Sequence, residues 1–418
     1  MSPAAPAPRS SRARPPSMVV LSRCRRTSSA RSPSVFESIA MNFDLTDEQT
    51  MICDSAERLI RELGALERRR ERIARGEGFD RDLWSQSAEL GWLALCVPED
   101  AGGLGGSITD IALLMIELGR GMASDPLISS AILCSTLLAG SDWEGRADWI
   151  EQIMSGNGRL AFANLEPGDR AEWPAPRGTT LKAEGNGFVL NGAKLLVQDG
   201  EGADGYIVTA SIPGEQSQAL LFVPADAEGL IQDHYRLIDG SRAADLRFDH
   251  APISGGQVIG RGDGVAALLE DAIARASVAT LASAIGSMEA CLDICSDYLK
   301  TRQQFGQPIG KFQALQHMMT DMLVTTHNAR SNLYHLLSRM DGDRDERAAA
   351  LASARLAIGQ AGLSVGRTGV QLHGGYGVTD EYVISHHYRY LMALEKRFGD
   401  SQAYGAMLAD QLFGPIAA

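Results

Sequence analysis

The chain is poor in the residues that build metal and disulfide centres. Its six cysteines, Cys24, Cys53, Cys96, Cys134, Cys291 and Cys295, form no Cys-x-x-Cys pair, and its eight histidines include no His-Glu-x-x-His. Neither a zinc site nor a dithiol redox motif is therefore predicted. His386 and His387 are adjacent on a helical pattern, so their rings point to different faces. Cys291 and Cys295 lie one helical turn apart in an apolar pattern, which predicts core packing of free thiols in a reducing compartment. No apolar run reaches the length needed to span a bilayer. Positive charge is scarce outside the first forty residues. The net charge is -13, but residues 1–40 hold seven arginines and one acid (Glu37), leaving -19 for the remainder. An acidic body of this kind excludes nucleic acid as a general partner while leaving room for an anionic ligand held by a few local arginines.

Residues 1–40 are rich in Arg, Ser, Pro and Ala and carry too little apolar surface to offset chain entropy, so disorder is expected there. Two readings fit that composition. One is a mitochondrial transit peptide, which implies the matrix. The other is upstream sequence translated from an early start codon, with Met41 as the natural start of a cytoplasmic bacterial protein.

Beyond that segment the 418-residue chain divides by periodicity into three blocks. Residues 41–157 read as an N-terminal helical domain. Thr46 with Gln49 three residues on is a capping-box pattern, and Ser107 with Asp110 in the following turn is a second helix start. Helices are predicted from there and around 81–91, 108–122, 127–139 and 143–155, with a glycine-rich loop over 97–106. Residues 158–258 switch to short strands. The run 179–197 is a hairpin by its Gly185-Asn-Gly187 turn, and 206–211 and 219–224 are two further strands. Strands this close, without intervening helices, predict an antiparallel barrel or sandwich rather than a parallel nucleotide-binding sheet. Residues 259–418 return to helix in four long patterns near 263–303, 311–340, 345–370 and 380–397, with a short one after Asp400. Long antiparallel helices joined by short links predict a four-helix bundle. The fold class is thus α+β in the order helical, β, helical.

Two segments at breaks between long helices carry the chemistry. One is Arg302-Gln-Gln-Phe-Gly-Gln-Pro-Ile-Gly-Lys-Phe-Gln313; the other is Gln371-Leu-His-Gly-Gly-Tyr-Gly377. A guanidinium makes bidentate contacts with phosphate, and Gly374 and Gly375 allow close backbone approach. Taken singly, an arginine ending a helix also reads as a carbonyl partner, and a Gly-Gly as a plain turn.

Together these segments resemble the flavin-binding segments of the acyl-CoA dehydrogenase family. The resemblance extends over 41–413, including the opening Met41-Asn-Phe-Asp-Leu-Thr-Asp-Glu-Gln. The Leu-Glu-Pro-Gly run at 165–168 and the Phe-Gly-Asp run at 398–400 are similar to the pimeloyl-CoA dehydrogenase small-subunit type. The resemblance implies bound FAD. Arg302 would face the pyrophosphate, Gln304 and Gln313 its polar atoms, and Phe305 the adenine. Gln371, Gly374 and Gly375 would reach a cofactor held mainly by a neighbouring subunit, which implies a homodimer or homotetramer. Phe162 and Leu165 would lie on the flavin-contacting strand, Leu196 and Gln198 where relatives carry a tryptophan and a threonine beside the ring, and Ser401 after the Phe-Gly-Asp run.

The resemblance also implies an acyl-CoA substrate, a trans-2-enoyl-CoA product and electrons passed to an electron-transfer flavoprotein. That reaction needs a carboxylate to remove the α proton. Gly399 stands where most relatives carry the glutamate, and Ala274-Arg275 stands at the second address the family uses. Asp400 is the nearest carboxylate and the candidate base, although an aspartate before a helical pattern is also an N-cap. Arg275 is a supporting candidate, while Glu270 and Asp271 read as a solvated face. Tyr390 replaces an aspartate that commonly follows Tyr-Arg, which removes an expected ion pair with Arg389. Three functions remain open: an FAD-dependent acyl-CoA dehydrogenase, a non-catalytic partner subunit completing the flavin site of a glutamate-bearing subunit in a heteromer, and flavin-linked oxidation of a non-thioester.

Overall fold

A computed structural model describes residues 44–123, 126–169, 178–215 and 217–414. The 1–40 segment, and with it both readings of the start, lies outside the described residues. The chain divides between Asp44 and Leu45, and every element below lies on the Leu45 side.

The first block is helical: α1 (Asp47–Leu63), α2 (Leu66–Ala74), α3 (Arg81–Glu89), α4 (Ile108–Arg120), a π-helical stretch Leu127–Cys134, α5 (Ser135–Ala139) and α6 (Arg146–Met154). Both predicted helix starts form reciprocal capping boxes, Thr46 with Gln49 and Ser107 with Asp110. Each satisfies two amides that a bare helix end leaves open, worth about 1 kcal/mol.

Eight strands follow: β1 (Leu160–Ala163), β2 (Thr180–Glu184), β3 (Gly187–Gln198), β4 (Gly205–Ser211), β5 (Gln218–Pro224), β6 (Leu230–Arg236), β7 (Arg242–Ile253) and β8 (Val258–Arg261). They make one sheet in the order β6-β7-β3-β2-β4-β5-β8, with β1 on β4. The β2–β3 hairpin closes at Glu184 opposite Gly187, with Gly185 at φ 58° as the turn requires. Most pairings are antiparallel, while β1 lies parallel to β4, as does the single β2 contact. Alternation along β4 and β5 explains the layering. Tyr206, Val208, Leu221 and Val223 point into a core of the sheet's own, whereas Ile207, Leu220 and Phe222 join the core of the helices.

The last block is α7 (Asp263–Thr301), a small hairpin of β9 (Gln303–Gln304) and β10 (Gln307–Pro308), then α8 (Gln313–Leu337), α9 (Arg344–His373), α10 (Val383–Lys396) and α11 (Ser401–Phe413). α7 is the spine. At 1.5 Å per residue its 39 residues run about 58 Å. It crosses α4 so closely that a methyl added at Gly119 would strike the Ser283 carbonyl, and one at Gly286 the Ile116 carbonyl. The two helical blocks therefore share one apolar core. Cys291 and Cys295 pack in it as predicted, and burial pushes the Cys295 thiol up to about 12.

Two helices exceed what apolar runs alone suggested. α7 and the α9 stretch are long and apolar enough to cross a membrane by length and composition, and the most apolar window of α7 is 72% buried within the protein. Its apolar surface is taken up by the bundle rather than left exposed. Arg389 does keep an ion pair, with Asp380 at 2.5 Å, while the Tyr390 hydroxyl bonds Ser283 at 2.7 Å in the core.

Candidate functional site

A cleft opens where the three blocks meet. Its walls are Ser129 and Leu133 from the π-helical stretch, Phe162, Asn164 and Leu165 from β1 and the turn after it, Leu195, Leu196 and Gln198 from β3, and residues 396–399 at and just beyond the end of α10. Local irregularity aims several of these groups. The β3–β7 register shifts between Lys194 and Val197, and such a bulge re-aims side chains. Leu196 sits there at φ 51°, with its amide held by Asp245 Oδ1 at 2.9 Å. Asp199 (φ 58°) and Phe398 (φ 59°) are also left-handed. A non-glycine residue in that region costs about 1–3 kcal/mol, and such strain gathers at functional sites.

Beneath the Leu165 wall, Lys194 is fully buried and donates to Glu166 at 2.8 Å, the Asn164 carbonyl at 3.0 Å and Thr209 Oγ1 at 3.1 Å. Glu166 also accepts from the amides of Gly178 and Thr179. A paired and fully bonded buried lysine fixes the turn that carries Leu165.

The opposite wall is tied down by arginines. Arg355, buried on α9, donates to the carbonyls of Arg397 and Gly399. Arg397 donates through Nε to Gln198 Oε1 and through Nη2 to Asp199 Oδ2 at 3.2 Å; the same Oδ2 accepts from Ser129 Oγ at 2.5 Å. Residues distant in sequence thus meet on one carboxylate.

Among the described residues that line the cleft there is no carboxylate. Asp400 serves as the N-cap of α11: Oδ1 accepts the Ala403 amide at 2.8 Å and Oδ2 pairs with Lys396 Nζ at 2.7 Å. Burial works to raise its pKa, but Lys396 and the helix amides outweigh this and hold the carboxyl below its usual range. Ser401 donates both its amide and its hydroxyl to Glu395. Arg275 pairs with Asp271 at 2.9 Å, outside the cleft lining, and Asp271 also meets Arg347; Glu270 pairs with Arg344.

The second cluster lies at the far end of α7. Arg302 ends that helix, and its guanidinium lies 5.8 Å from the Tyr376 ring centroid, which joins the two predicted segments. The β9–β10 turn holds Phe305 at φ 54° and Gly306 at φ 80°, a type I′ pattern, and leaves Phe305 90% exposed. Gln304, Gln313, Gln371, Gly374 and Gly375 are exposed around it. Space is open beside both glycines, where an added Cβ meets nothing within 4 Å. His373, lodged between the Tyr298 and Tyr382 rings, props the turn, and burial keeps its imidazole neutral by lowering its pKa.

The structure thus gathers the predicted residues into two clusters, Phe162, Leu165, Leu196 and Gln198 in one and Arg302, Gln304, Phe305, Gln313, Gln371, Gly374 and Gly375 in the other. Arg355, which holds the cleft wall, borders the α7 segment around Thr280. Arg302 lies about 33 Å further along that helix. The two clusters therefore sit against well-separated stretches of α7.

The N-terminal domain model of acyl-CoA dehydrogenases matches residues 46–157 and the C-terminal domain model matches 262–413. The chain belongs to the acyl-CoA dehydrogenase family. It is 27% identical to the 3-(aryl)acrylate reductase of Clostridium sporogenes over 80% of this chain and 90% of that protein. It is 28% identical to the human mitochondrial short-chain specific acyl-CoA dehydrogenase over 77% and 80%. A solved Tcur3481–Tcur3483 steroid acyl-CoA dehydrogenase variant superposes with a TM-score of 0.78 at 28% identity, covering 88% of this chain and 98% of that one. Members of this family are FAD-binding oxidoreductases acting on acyl-CoA. The residues present fit that cofactor. The cleft offers apolar faces for a flat ring, the far cluster offers an arginine for phosphate, and Phe305 offers a bare aromatic face.

Sequence reading did not single out Ser129, Asn164, Leu195, Arg397, Asp199 or Arg355. One signal was present: Asp199 and Arg397 are opposite charges directly beside residues the sequence had marked, Gln198 and the Phe-Gly-Asp run at 398–400.

Proposed function

We propose that this chain takes part in FAD-dependent α,β-dehydrogenation of an acyl-CoA thioester, yielding the trans-2-enoyl-CoA and passing electrons to an electron-transfer flavoprotein. The separation of the two clusters carries the reading. It fits a flavin shared between protomers, with the ring in one cleft and the pyrophosphate and adenine on the neighbour's Arg302–Gln313 and Gln371–Gly375 surface. FAD, when bound, supplies the hydride acceptor. The chain's own residues do the rest. Phe162, Leu165, Leu195 and Leu196 exclude water from the ring. Gln198, with its carbonyl oxygen engaged by Arg397, presents its amide nitrogen as a donor. Arg302 meets phosphate charge bidentately.

One observation favours a second reading. The described lining holds no carboxylate, and both oxygens of Asp400 are committed to Lys396 and the α11 amides. A chain built this way serves as the partner subunit of a heteromer, completing the flavin site of a subunit that bears its own glutamate. The visible spectrum of the purified chain separates the two. Yellow protein bleached by an acyl-CoA supports the first reading. Flavin that no acyl-CoA reduces, until a glutamate-bearing relative is co-expressed, supports the second. Asp400→Asn decides the base: lost bleaching with colour retained assigns it to Asp400, and unchanged bleaching removes it.

A further inference from the structure

Arg397 has a place in the cleft that the proton-removal chemistry does not use. Its side chain is 5% exposed and its partner Asp199 4%. Arg397 lines the cleft and its Nε donates to Gln198, another lining residue, whereas Asp199 lies outside the lining. The buried ion pair is therefore one-sided, with its positive end toward the cavity. Three further contacts lock it. Arg355 takes the Arg397 carbonyl, Ser129 Oγ donates to Asp199 Oδ2, and Arg397 Nε donates to Gln198 Oε1. Lys396, the other cation of this wall, is spent on Glu395 and Asp400. Asp199 also acts electrostatically on Arg159, favouring its charged form.

We propose that Arg397 is a positioning and field-setting residue for the flavin: it turns the Gln198 amide so that its nitrogen meets the ring edge, and it fixes a positive charge beside the ring. This rests on the reading of the cleft as the ring site. FAD held in this cleft would supply a two-electron acceptor whose charge becomes more negative by one on accepting hydride, and Arg397 would be the cation beside it. A fixed cation in a water-excluded wall stabilises that product over the oxidised ring without reorganising at the moment of transfer. The neutral side chains around it screen the field far less than water does.

The test is a reductive titration of the full-length, FAD-loaded protein in its native assembly, reading the two-electron midpoint potential alongside FAD affinity. Arg397→Gln alone strands a buried carboxylate, so the double variant Arg397→Gln/Asp199→Asn carries the experiment. It is expected to stay yellow and bind the reduced ring at least tenfold less tightly relative to the oxidised ring, a fall of about 30 mV for a two-electron couple. Asp199→Asn alone removes only the compensating charge and is expected to raise the potential. A merely structural role does not give shifts of opposite sign. A yellow double variant at the wild-type potential, or a fall in Asp199→Asn, overturns the inference alone. Wild-type protein that binds no FAD overturns the reading of the cleft and this inference with it.

Discussion

Placing a glutamate at position 399 is the sharpest perturbation the cleft allows. Gly399 lines the cavity, and its carbonyl is held by the buried Arg355. A side chain grafted there starts from an anchored backbone atom at the wall of the cleft. The glycine has φ 95°, so Gly399→Glu costs about 1–3 kcal/mol in backbone strain. That cost falls on stability and is read as a lowered melting temperature. The gain falls on the rate. A positioned general base contributes about 10²–10⁴-fold, equivalent to roughly 3–5 kcal/mol of barrier. The assay is anaerobic mixing of the yellow protein with short, medium, dicarboxyl and aryl acyl-CoA thioesters, following loss of flavin absorbance. The variant is expected to bleach with at least one thioester at least about a hundredfold faster than wild type. Folded, yellow Gly399→Glu protein that bleaches no faster with any thioester refutes the assignment of this wall as the place from which a base acts.

Two further outcomes follow from the same geometry. Arg355→Met leaves the carbonyls of Arg397 and Gly399 buried without their donor; a loss of about 3 kcal/mol in urea unfolding is expected, with weaker FAD binding, and a change below about 0.5 kcal/mol contradicts the role given to Arg355. His387 is buried against Ser287, and burial lowers its pKa from 6.5 to about 3. Its folded pKa is depressed, so its contribution to stability is full above about pH 6.5 and is lost as pH falls toward about 3. Denaturant midpoints are expected to decline from near pH 6.5, and His387→Asn should flatten that decline; an equal slope in the variant contradicts the assignment.

What the sequence made legible was local. Thr46–Gln49 and Ser107–Asp110 announced helix starts because a cap is written within four residues. Gly185-Asn-Gly187 announced a hairpin because only certain residues tolerate the turn. The long helices showed in their apolar spacing. The exposed second cluster was legible for the same reason, since Arg302, Phe305 and Gly374–Gly375 sit in two short runs. What escaped was non-local. The parallel seat of β1 on β4 depends on which edge of the sheet is free. The shift in β3 that turns out Leu196 depends on its pairing with β7. The Arg397–Asp199 link joins residues 198 positions apart, and Arg355 is read by carbonyls rather than by an acid, so no charge pattern marks it. Asp400 was visible as both a cap and a base. The structure shows the cap contacts because the α11 amides and Lys396 lie within hydrogen-bond reach.

The central claim is a flavin shared between protomers, and a mixing experiment tests it most directly. Leu165→Trp fills the cleft, and Arg302→Ala removes the phosphate contact at the far cluster. Each variant alone is expected to lose FAD. When the two are co-expressed and assemble at random as two-fold dimers, half the dimers are mixed, and each mixed dimer has one site free of both defects, so about a quarter of the sites should bind FAD again. No recovery of FAD in the mixed assembly contradicts the account, because it means that cleft and phosphate contact belong to the same protomer, so that every site carries one defect.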